Sequence, residues 1–451
     1  MKMKICSVLL AVCMLFCLFG TLSSCFLWGE DPKTEIPDIV NTEINENGEL
    51  VLFFSDGTEK NLGVVVGKDG EDGQNGANGA KGDKGEAGTT TVVSDGSSIP
   101  TASAKGLRSA VSIVCNFQET VASLWPGGST VKDYSASGSG VLYRMSKDTG
   151  DAFIITNYHV VYDANSNTEN GISDDINVYL YGSEIADKAM KASYVGGSLF
   201  YDIAVLRVED SAVLKNSDAC EIDIADSDAV AVGDNAIAIG NAQGNGVSVS
   251  VGVVSVDSEY ITMTAADGRT EVSFRVMRVD TAVNSGNSGG GLYDDTGELI
   301  GIVNAKIIDD TVENIGYAIP SNVAIAIAEN IIDYCYGTDT ETVQRALLGI
   351  TVTTSGSKAV YNRETGKMVI EETVLVQKIE AGSLAAGALQ VGDVLVSATL
   401  GEKTKPITRQ YQMIDMMLDA RAGDVLTLTV LRGGASVPLN VVITSGCIVS
   451  Y

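Results

Sequence analysis

Three short segments of the chain carry side chains that together could perform nucleophilic catalysis. Ser288 lies in the run Gly-Asn-Ser-Gly-Gly-Gly, where glycines allow backbone N–H groups to converge on one point and leave room beside the hydroxyl. His159 is the only histidine of the 451 residues and supplies the base that a serine hydroxyl requires. Asp202 precedes the apolar run Ile-Ala-Val-Leu and could orient an imidazole. Together the three residues predict acyl transfer through Ser288.

Each of these segments, taken singly, also fits a structural role. The serine could lie in a glycine-rich turn, since the chain has 49 glycines. The histidine could be a core or surface residue, and the aspartate could be a turn residue or a strand cap. The residue types alone therefore leave a catalytic and a structural interpretation open.

The elements that must position these residues are mostly short strands. A chain of 451 residues is too long for one core, so we expect two folded domains plus tethers. Between residues 111 and 303, short apolar runs recur between turn residues, which predicts an all-β barrel or sandwich. A helix is expected from Ser321 to about residue 337. A second β-rich unit follows, with a helix within residues 407–422.

The three motifs, taken in chain order, resemble the HtrA (Deg) family of trypsin-like serine proteases. The resemblance rests first on residues 156–161, 202–206 and 286–290. Further similar segments are residues 232–234, 238–241, 252–255 and 316–321. The resemblance implies a mainly β fold, in which a chymotrypsin/trypsin-like double β-barrel at 105–337 is followed by one PDZ domain at 345–446. The active site would lie in the cleft between the barrels.

The resemblance also implies roles for individual residues. His159, Asp202 and Ser288 would form the catalytic triad, and the N–H groups of Gly286 and Ser288 the oxyanion hole. The reaction requires no metal or cofactor. The residues that would shape the primary substrate pocket are Ala282, Val283 and Asn284. Because none of them carries a negative charge, we expect cleavage after small or medium apolar residues rather than after Lys or Arg.

Two features depart from the family pattern. Gly291 stands where a proline commonly follows the serine motif, which could loosen the loop. The separation of His159 and Asp202 is 43 residues (202 minus 159), which is longer than usual. We expect the added segment, around residues 165–182, to be an exposed loop.

The second unit contains a segment that resembles the carboxylate-binding loop of PDZ domains, formed by Leu348, Gly349 and Ile350. Residues 389–395 resemble the turn and strand that follow in such domains. A C-terminal peptide would add as a strand beside the loop, with its carboxylate held by backbone N–H groups. A PDZ domain that serves only as a spacer is the alternative.

The N-terminus has the pattern of a lipoprotein signal peptide over residues 1–24. Lys2 and Lys4 precede an apolar run at residues 5–19 that is too short to span a bilayer comfortably. The tetrapeptide Leu-Ser-Ser-Cys, which ends at Cys25, resembles a bacterial lipobox. It implies lipidation of the Cys25 thiol and a mature chain anchored to the cell membrane on its extracytoplasmic face. An ordinary secretory signal or an N-terminal anchor helix is the alternative.

The sequence between this signal and the barrels predicts three segments. Residues 25–66 are expected to be a tether with a short β-element, in which two strands flank an Asp-Gly turn. Glycine recurs every third residue from 67 to 88, as a collagen triple helix requires, but the seven triplets contain no proline. A collagen-like stalk and a flexible hydrophilic spacer both fit this run. A linker is expected at 89–104.

Charge and cysteine spacing argue against other functions. The formal net charge of -28 would repel nucleic acid, so no nucleic-acid partner is expected. The cysteines that follow Cys25 show no CxxC spacing, so no zinc site is expected and we predict free or structural thiols. They are Cys115, Cys220, Cys335 and Cys447.

The sequence thus predicts an exported, membrane-anchored serine endopeptidase that degrades unfolded or damaged proteins. HtrA-like proteases are typically trimers, and a collagen-like run would also join three chains, so we expect a homotrimer. One alternative is a holdase that captures misfolded chains while its triad is idle. The other is a surface scaffold in which the stalk is the functional part.

Overall fold

The computed structural model describes residues 39–64, 98–122, 129–183, 188–244, 246–305 and 315–450. The chain divides into two compact units, residues 1–90 and 91–451. The predicted signal peptide, Cys25 and the Gly-X-Y run all lie outside the described residues, as does most of the predicted linker. In the described ranges no helix is long and apolar enough to cross a membrane. The same ranges contain no group of His, Cys, Asp or Glu side chains that could hold a metal ion.

The described part of the first unit is a three-stranded antiparallel sheet. Its strands are β1 (Ile39–Ile44), β2 (Glu49–Phe54) and β3 (Glu59–Val64), in that order across the sheet. The sequence predicts β2, β3 and the turn between them, where Asp56 accepts a hydrogen bond from Thr58 N–H at 2.9 Å. It misses β1, because polar residues interrupt the apolar alternation of that strand.

Six strands close a first barrel in the order β4-β5-β6-β9-β8-β7. The strands are β4 (Ala110–Ala122), β5 (Ser129–Ser146), β6 (Asp151–Thr156), β7 (Asp175–Leu180), β8 (Met190–Ser198) and β9 (Ile203–Val208). Alternate residues point inward, and Ile113, Leu142, Ile154 and Leu206 are fully buried in one cluster. This cluster fills the barrel interior.

Six further strands close a second barrel in the order β10-β11-β12-β15-β14-β13. The strands are β10 (Asn235–Gly240), β11 (Ser248–Thr264), β12 (Glu271–Val279), β13 (Gly291–Tyr293), β14 (Leu299–Val303) and β15 (Gly316–Pro320). The predicted mainly β, double-barrel architecture is therefore confirmed.

The segment predicted as an exposed loop, residues 165–182, contains a strand of the first barrel, so that prediction is wrong for residues 175–180. Strand β7 lies within it and pairs with β4, with Cys115 opposite Ile176. Ile176 and Val178 are buried in the barrel core. The segment between His159 and Asp202 therefore supplies one strand of the barrel wall as well as loops.

Four helices accompany the barrels: α1 (Ile99–Leu107), α2 (Tyr158–Val161), α3 (Ala212–Lys215) and α4 (Ser321–Cys335). Helix α1 crosses the predicted linker boundary at residue 104. Its first turn is capped by the Ser98 hydroxyl, which accepts from Thr101 N–H at 3.3 Å. Ala102 and Gly106 are buried, and a Cβ on Gly106 would lie 2.7 Å from Ile239. The folded part that contains the barrels therefore begins no later than residue 99.

A C-terminal β-rich region follows the barrels. Its elements are β16 (Gln344–Ala346), β17 (Ile350–Asn362), β18 (Lys367–Ile379), β19 (Val394–Leu400), β20 (Lys403–Pro406), α5 (Gln410–Asp419), β21 (Val425–Arg432), β22 (Ala435–Val442) and β23 (Ile448–Ser450). The main sheet has the order β17-β18-β19-β21-β22, with β20 paired to β19. Strand β23 pairs with β16, which joins the two ends of the region.

Arg275 on β12 joins the second barrel to α5. Its guanidinium is almost fully buried and lies 3.2 Å from the carboxylates of both Asp228 and Asp415, the latter on α5. The guanidinium carbon also lies 3.8 Å from the ring centre of Tyr411. Burial raises the pKa of Asp415 to about 6, against the opposing effect of Arg275. This ionic cluster fixes the helix against the barrel.

Candidate active site

The ends of β6 and β9 bring His159 and Asp202 together. The two strands are antiparallel neighbours, with Thr156 opposite Ala204. His159 follows β6 in the short helix α2, where the next two valines are buried and anchor the turn. Asp202 precedes β9 with a φ of 54°, a left-handed conformation that is rare outside glycine. Strand pairing therefore places two residues that are distant in sequence side by side.

The carboxylate of Asp202 is buried and accepts three hydrogen bonds. Oδ1 accepts from the backbone N–H of His159 at 2.9 Å. Oδ2 lies 2.6 Å from His159 Nδ1 and accepts from Asn304 Nδ2 at 2.8 Å. The backbone oxygen of Asp202 accepts from the Asn157 side chain at 2.8 Å and from Tyr158 N–H at 3.2 Å. These bonds hold the imidazole and the carboxylate in one orientation.

Asn304 is a site residue that the sequence analysis does not include. It follows β14 directly and is fully buried. Its only sequence signal is a polar residue placed immediately after the apolar run Leu-Ile-Gly-Ile-Val. A buried amide at a strand end requires a partner, and here that partner includes the Asp202 carboxylate.

Ser288 lies in the loop between β12 and β13 and is buried to 5% exposure. Gly286 has a φ of 96° and Gly289 a φ of 83°, so both residues use the left-handed freedom of glycine. Gly289 N–H donates to Val303 O at 3.0 Å. A Cβ on Gly289 would lie 2.3 Å from Ser139 O. The glycines are therefore required for the loop to approach the barrels this closely.

The backbone N–H groups of Gly286 and Ser288 donate no hydrogen bond to any other described residue. Their neighbour Asn287 does donate, to Asn284 O at 3.0 Å. The N–H groups of Gly286 and of Ser288 itself are therefore open to an oxygen that enters the site, as far as the described residues show.

Ser139, on β5 of the first barrel, connects both barrels to the serine loop. Its Oγ donates to Gly286 O at 2.7 Å and accepts from Asn241 N–H at 2.7 Å. Its backbone N–H donates to Ser288 O at 2.8 Å. The sequence gives no signal for this role, because Ser139 lies in an ordinary Ser-Gly stretch.

The Ser288 hydroxyl does not reach the histidine in this structure. Its Oγ accepts a hydrogen bond from Ala305 N–H at 3.2 Å. Among the described residues, no hydrogen bond joins Ser288 to the His159 ring. A ligand-free site often has such loose contacts, which tighten when a substrate binds.

Comparisons with known proteins place this site in a family. The family model described as "Trypsin-like peptidase domain" matches residues 138–302. The Serine protease Do-like HtrA of Bacillus subtilis is 32% identical over 310 residues, which are 66% of this chain and 62% of that relative. The Serine protease Do-like HtrA of Lactococcus lactis subsp. cremoris is 31% identical over 328 residues, which are 70% of this chain and 73% of that relative. The chain belongs to the HtrA family of serine proteases.

A third relative of this HtrA-family chain is the Periplasmic serine endoprotease DegP of Escherichia coli. It is 32% identical over 316 residues, which are 70% of this chain and 58% of that relative. The chain therefore spans between 58% and 73% of the length of the three relatives.

The three residues predicted to shape the substrate pocket differ in exposure. Val283 is 8% exposed and belongs to the core of the second barrel, where it packs close to Gly316. Ala282 and Asn284 are exposed. Of the three, Ala282 and Asn284 can meet a substrate directly, whereas Val283 supports the wall from inside.

The predicted carboxylate loop of this HtrA-family chain precedes an edge strand. Leu348 is buried and Gly349 has a φ of 75°. The carbonyl oxygens of these two residues accept from Ala385 and Glu380 N–H at 3.2 and 2.8 Å. Ile350 begins β17, which pairs with β18 along one side only among the described strands. One edge of the sheet therefore starts at this loop.

Proposed function

We propose that this HtrA-family chain is a serine endopeptidase whose catalytic triad is His159, Asp202 and Ser288. The observation that carries the proposal is the 2.6 Å contact between His159 Nδ1 and Asp202 Oδ2. Because an ionised carboxylate can only accept, Nδ1 carries the hydrogen and Nε2 is left to take the Ser288 proton. The Ser288 oxygen then attacks the peptide carbonyl, and the imidazolium gives its proton to the leaving amine.

The oxyanion that forms during this attack would be bound by Gly286 and Ser288 N–H. Both groups donate to no other described residue, which supports this role. Preorganised N–H donors of this kind are each worth about 3–4 kcal/mol of transition-state stabilisation. The reaction then divides into acylation of Ser288 and hydrolysis of the acyl-enzyme by water.

Catalysis requires the Ser288 hydroxyl to donate its hydrogen to His159 Nε2, and no such hydrogen bond joins these two residues in the described part of the chain. The 3.2 Å bond to Ala305 therefore also supports a second candidate, a holdase that binds misfolded chains while its triad is idle. We favour the peptidase, because His159 Nδ1 already contacts the Asp202 carboxylate and two further hydrogen bonds to that carboxylate hold it in place.

A fluorophosphonate probe tests the triad directly. The serine oxygen displaces fluoride from the probe, so we expect one covalent adduct per chain, located on Ser288 by peptide mass analysis. His159→Gln should slow labelling strongly, and Ser288→Ala should abolish it. Labelling of the half-buried Ser250 as fast as Ser288, or none at all, would favour the idle-triad alternative.

We propose that the substrates are unfolded or damaged proteins, cut after small or medium apolar residues. The support is that neither Ala282 nor Asn284, the two exposed residues of the predicted pocket, is charged. Cleavage-site sequencing of a peptide library should show apolar residues before the cut. A library cut chiefly after Lys or Arg would contradict the proposal.

We propose that the C-terminal region is a PDZ domain that binds C-terminal peptides along β17. The support is the edge strand that begins at Leu348, Gly349 and Ile350, because an added peptide strand needs unpaired backbone groups. A peptide with a free carboxylate should bind more tightly than its amide. Gly349→Ala, whose Cβ would lie 2.2 Å from Ser383, should weaken binding, whereas Gly366→Ala should not. Equal binding by peptide and amide would argue for a spacer.

We propose that the mature chain is a lipid-anchored extracytoplasmic homotrimer with a collagen-like stalk. The lipobox pattern before Cys25, the Gly-X-Y run and the name of the E. coli relative, which is periplasmic, support this. Cys25→Ser should move the protein from the membrane fraction to the soluble fraction. Persistence in the membrane fraction would favour an anchor helix instead.

A further inference from the structure

The sheet of the first unit has one apolar face. Opposed residues of antiparallel strands point to the same side, and successive residues alternate. Leu50, Leu52 and Phe54 of β2 therefore share a face with Ile44, which is opposite Leu50, and with Ile39, which is opposite Phe54.

Strand β3 adds one more apolar residue to this face. Lys60 is opposite Leu52, and alternation then places Leu62 on the same side. We call the set of Ile39, Ile44, Leu50, Leu52, Phe54 and Leu62 the apolar face. Thr42 and Lys60, both opposite Leu52, are the polar residues on this side. The other side is mainly polar, with Asn41, Glu43, Glu49, Glu59 and Asn61 around the apolar residues Val51, Phe53 and Val64.

Within residues 39–64, the described part of this unit, no second layer covers the apolar face. Ile39, Ile44 and Leu62 are 55%, 56% and 51% exposed. A sheet normally buries such a face against another layer, so a partner surface is required.

Few means of stabilisation are available to this segment alone. It has 26 residues and contains no cysteine or histidine. Domains below about 40 residues usually need disulfides, a metal or oligomerisation. Because the segment has no cysteine or histidine, it offers neither a disulfide nor a ligand of those two types, and association with other chains is the third of these means.

The adjacent sequence indicates how many chains associate. The Gly-X-Y run begins at Gly67, three residues after β3 ends at Val64. Three residues span at most about 11 Å, so three chains that enter one triple helix must bring their sheets close to its axis. Seven triplets without proline are too short to assemble readily unless the chains are already held together.

We propose that the apolar face is a trimerisation surface, which packs against the same face of two further copies of this chain. Three faces around a threefold axis form a closed apolar core. The assembled sheets place the three Gly-X-Y runs side by side and in register. This inference rests on the proposed stalk and does not depend on the proposed peptidase activity.

Cysteine cross-linking tests the packing without disturbing the fold. In the full chain carrying Cys25→Ser, Leu62→Cys places a thiol on the apolar face and Asn61→Cys places one on the polar face of the same strand. After mild oxidation, we expect disulfide-linked dimers on a non-reducing gel for Leu62→Cys only. A threefold arrangement limits the linked fraction to about two thirds of the chains. Near-complete linkage would indicate a two-chain sandwich, and no linkage would refute the packing.

A pair of matched variants tests the contribution of the apolar face to assembly. The first variant places one glutamine on each strand of the apolar face, at Ile44, Leu50 and Leu62. The control places one glutamine on each strand of the polar face, at Glu43, Glu49 and Glu59. By sedimentation, the first should raise the concentration at which the trimer dissociates at least about tenfold, and the control should not. Dissociation of the two variants at the same concentration would overturn the proposal. Casein hydrolysis by the same samples tests the proposed peptidase activity separately.

Discussion

Substitution of Asn304 by alanine should reduce turnover, although it leaves all three residues of the proposed triad in the sequence. The amide is fully buried and donates to Asp202 Oδ2 at 2.8 Å, on the same oxygen that contacts His159 Nδ1. Its removal leaves that carboxylate oxygen with one donor fewer and frees the carboxylate to rotate away from the imidazole. Asn304 therefore acts as a positioning residue that works through Asp202.

The size of the effect follows from the lost hydrogen bond. A bond to a charged group contributes about 1.5–3 kcal/mol. If that interaction supports the imidazolium that forms in the transition state, kcat should fall roughly 10- to 150-fold. KM should remain unchanged, because a fully buried residue behind the carboxylate does not contact substrate.

The assay is steady-state hydrolysis of an apolar peptide, with Asn330→Ala as the matched control. Asn330 is equally buried, and its side chain bonds the Gln344 backbone at 2.7 and 2.8 Å, away from the triad. Both variants should lower the free energy of unfolding, but only Asn304→Ala should lower kcat. Equal kcat values for the two variants would refute the positioning role.

Two further predictions concern stability. Folded Asp415, whose pKa is raised to about 6, keeps its proton at pH values where the unfolded chain has lost it near 3.8. The contribution of Asp415 to stability is therefore greatest below about pH 4 and is lost as pH rises through 6. The free energy of unfolding should fall by about 1 kcal/mol between pH 5 and pH 7 for this reason. Urea unfolding should show that difference between wild type and Asp415→Asn, and parallel pH curves would contradict it. Gly289→Ala should cost at least about 2 kcal/mol and abolish activity, because the added Cβ would lie 2.3 Å from Ser139 O. Gly268→Ala is the control, because Gly268 has a similar φ of 71° but no atom near the added Cβ, and it should cost only about 1 kcal/mol. Equal losses of stability in the two variants would show that backbone strain, and not the contact with Ser139, causes the loss.

The sequence could predict the parts of the site that lie in contiguous motifs. His159, Asp202 and the loop around Ser288 are each defined by a few neighbouring residues, and strand pairing of β6 with β9 then brings the first two together. The alternation of apolar residues likewise predicted a barrel fold, because inward and outward positions differ along each strand.

The parts that sequence could not predict depend on long-range contacts. Strand β7 was taken for a loop, because its place beside β4 is set by a partner about 60 residues away in the chain. Asn304 and Ser139 carry no local signal, since their roles arise only when both barrels close around the serine loop. The first residues of helix α1 fall within residues 89–104, whose Thr, Ser and Gly content predicts a linker, and only the packing of this helix on the second barrel shows otherwise.

The most direct test of the proposed activity is degradation of unfolded casein by the purified chain and by its Ser288→Ala form. The triad geometry predicts that the wild type cuts casein and that Ser288→Ala does not, while both bind it. Casein left intact by both forms, with aggregation suppressed equally, would contradict the peptidase and support the holdase.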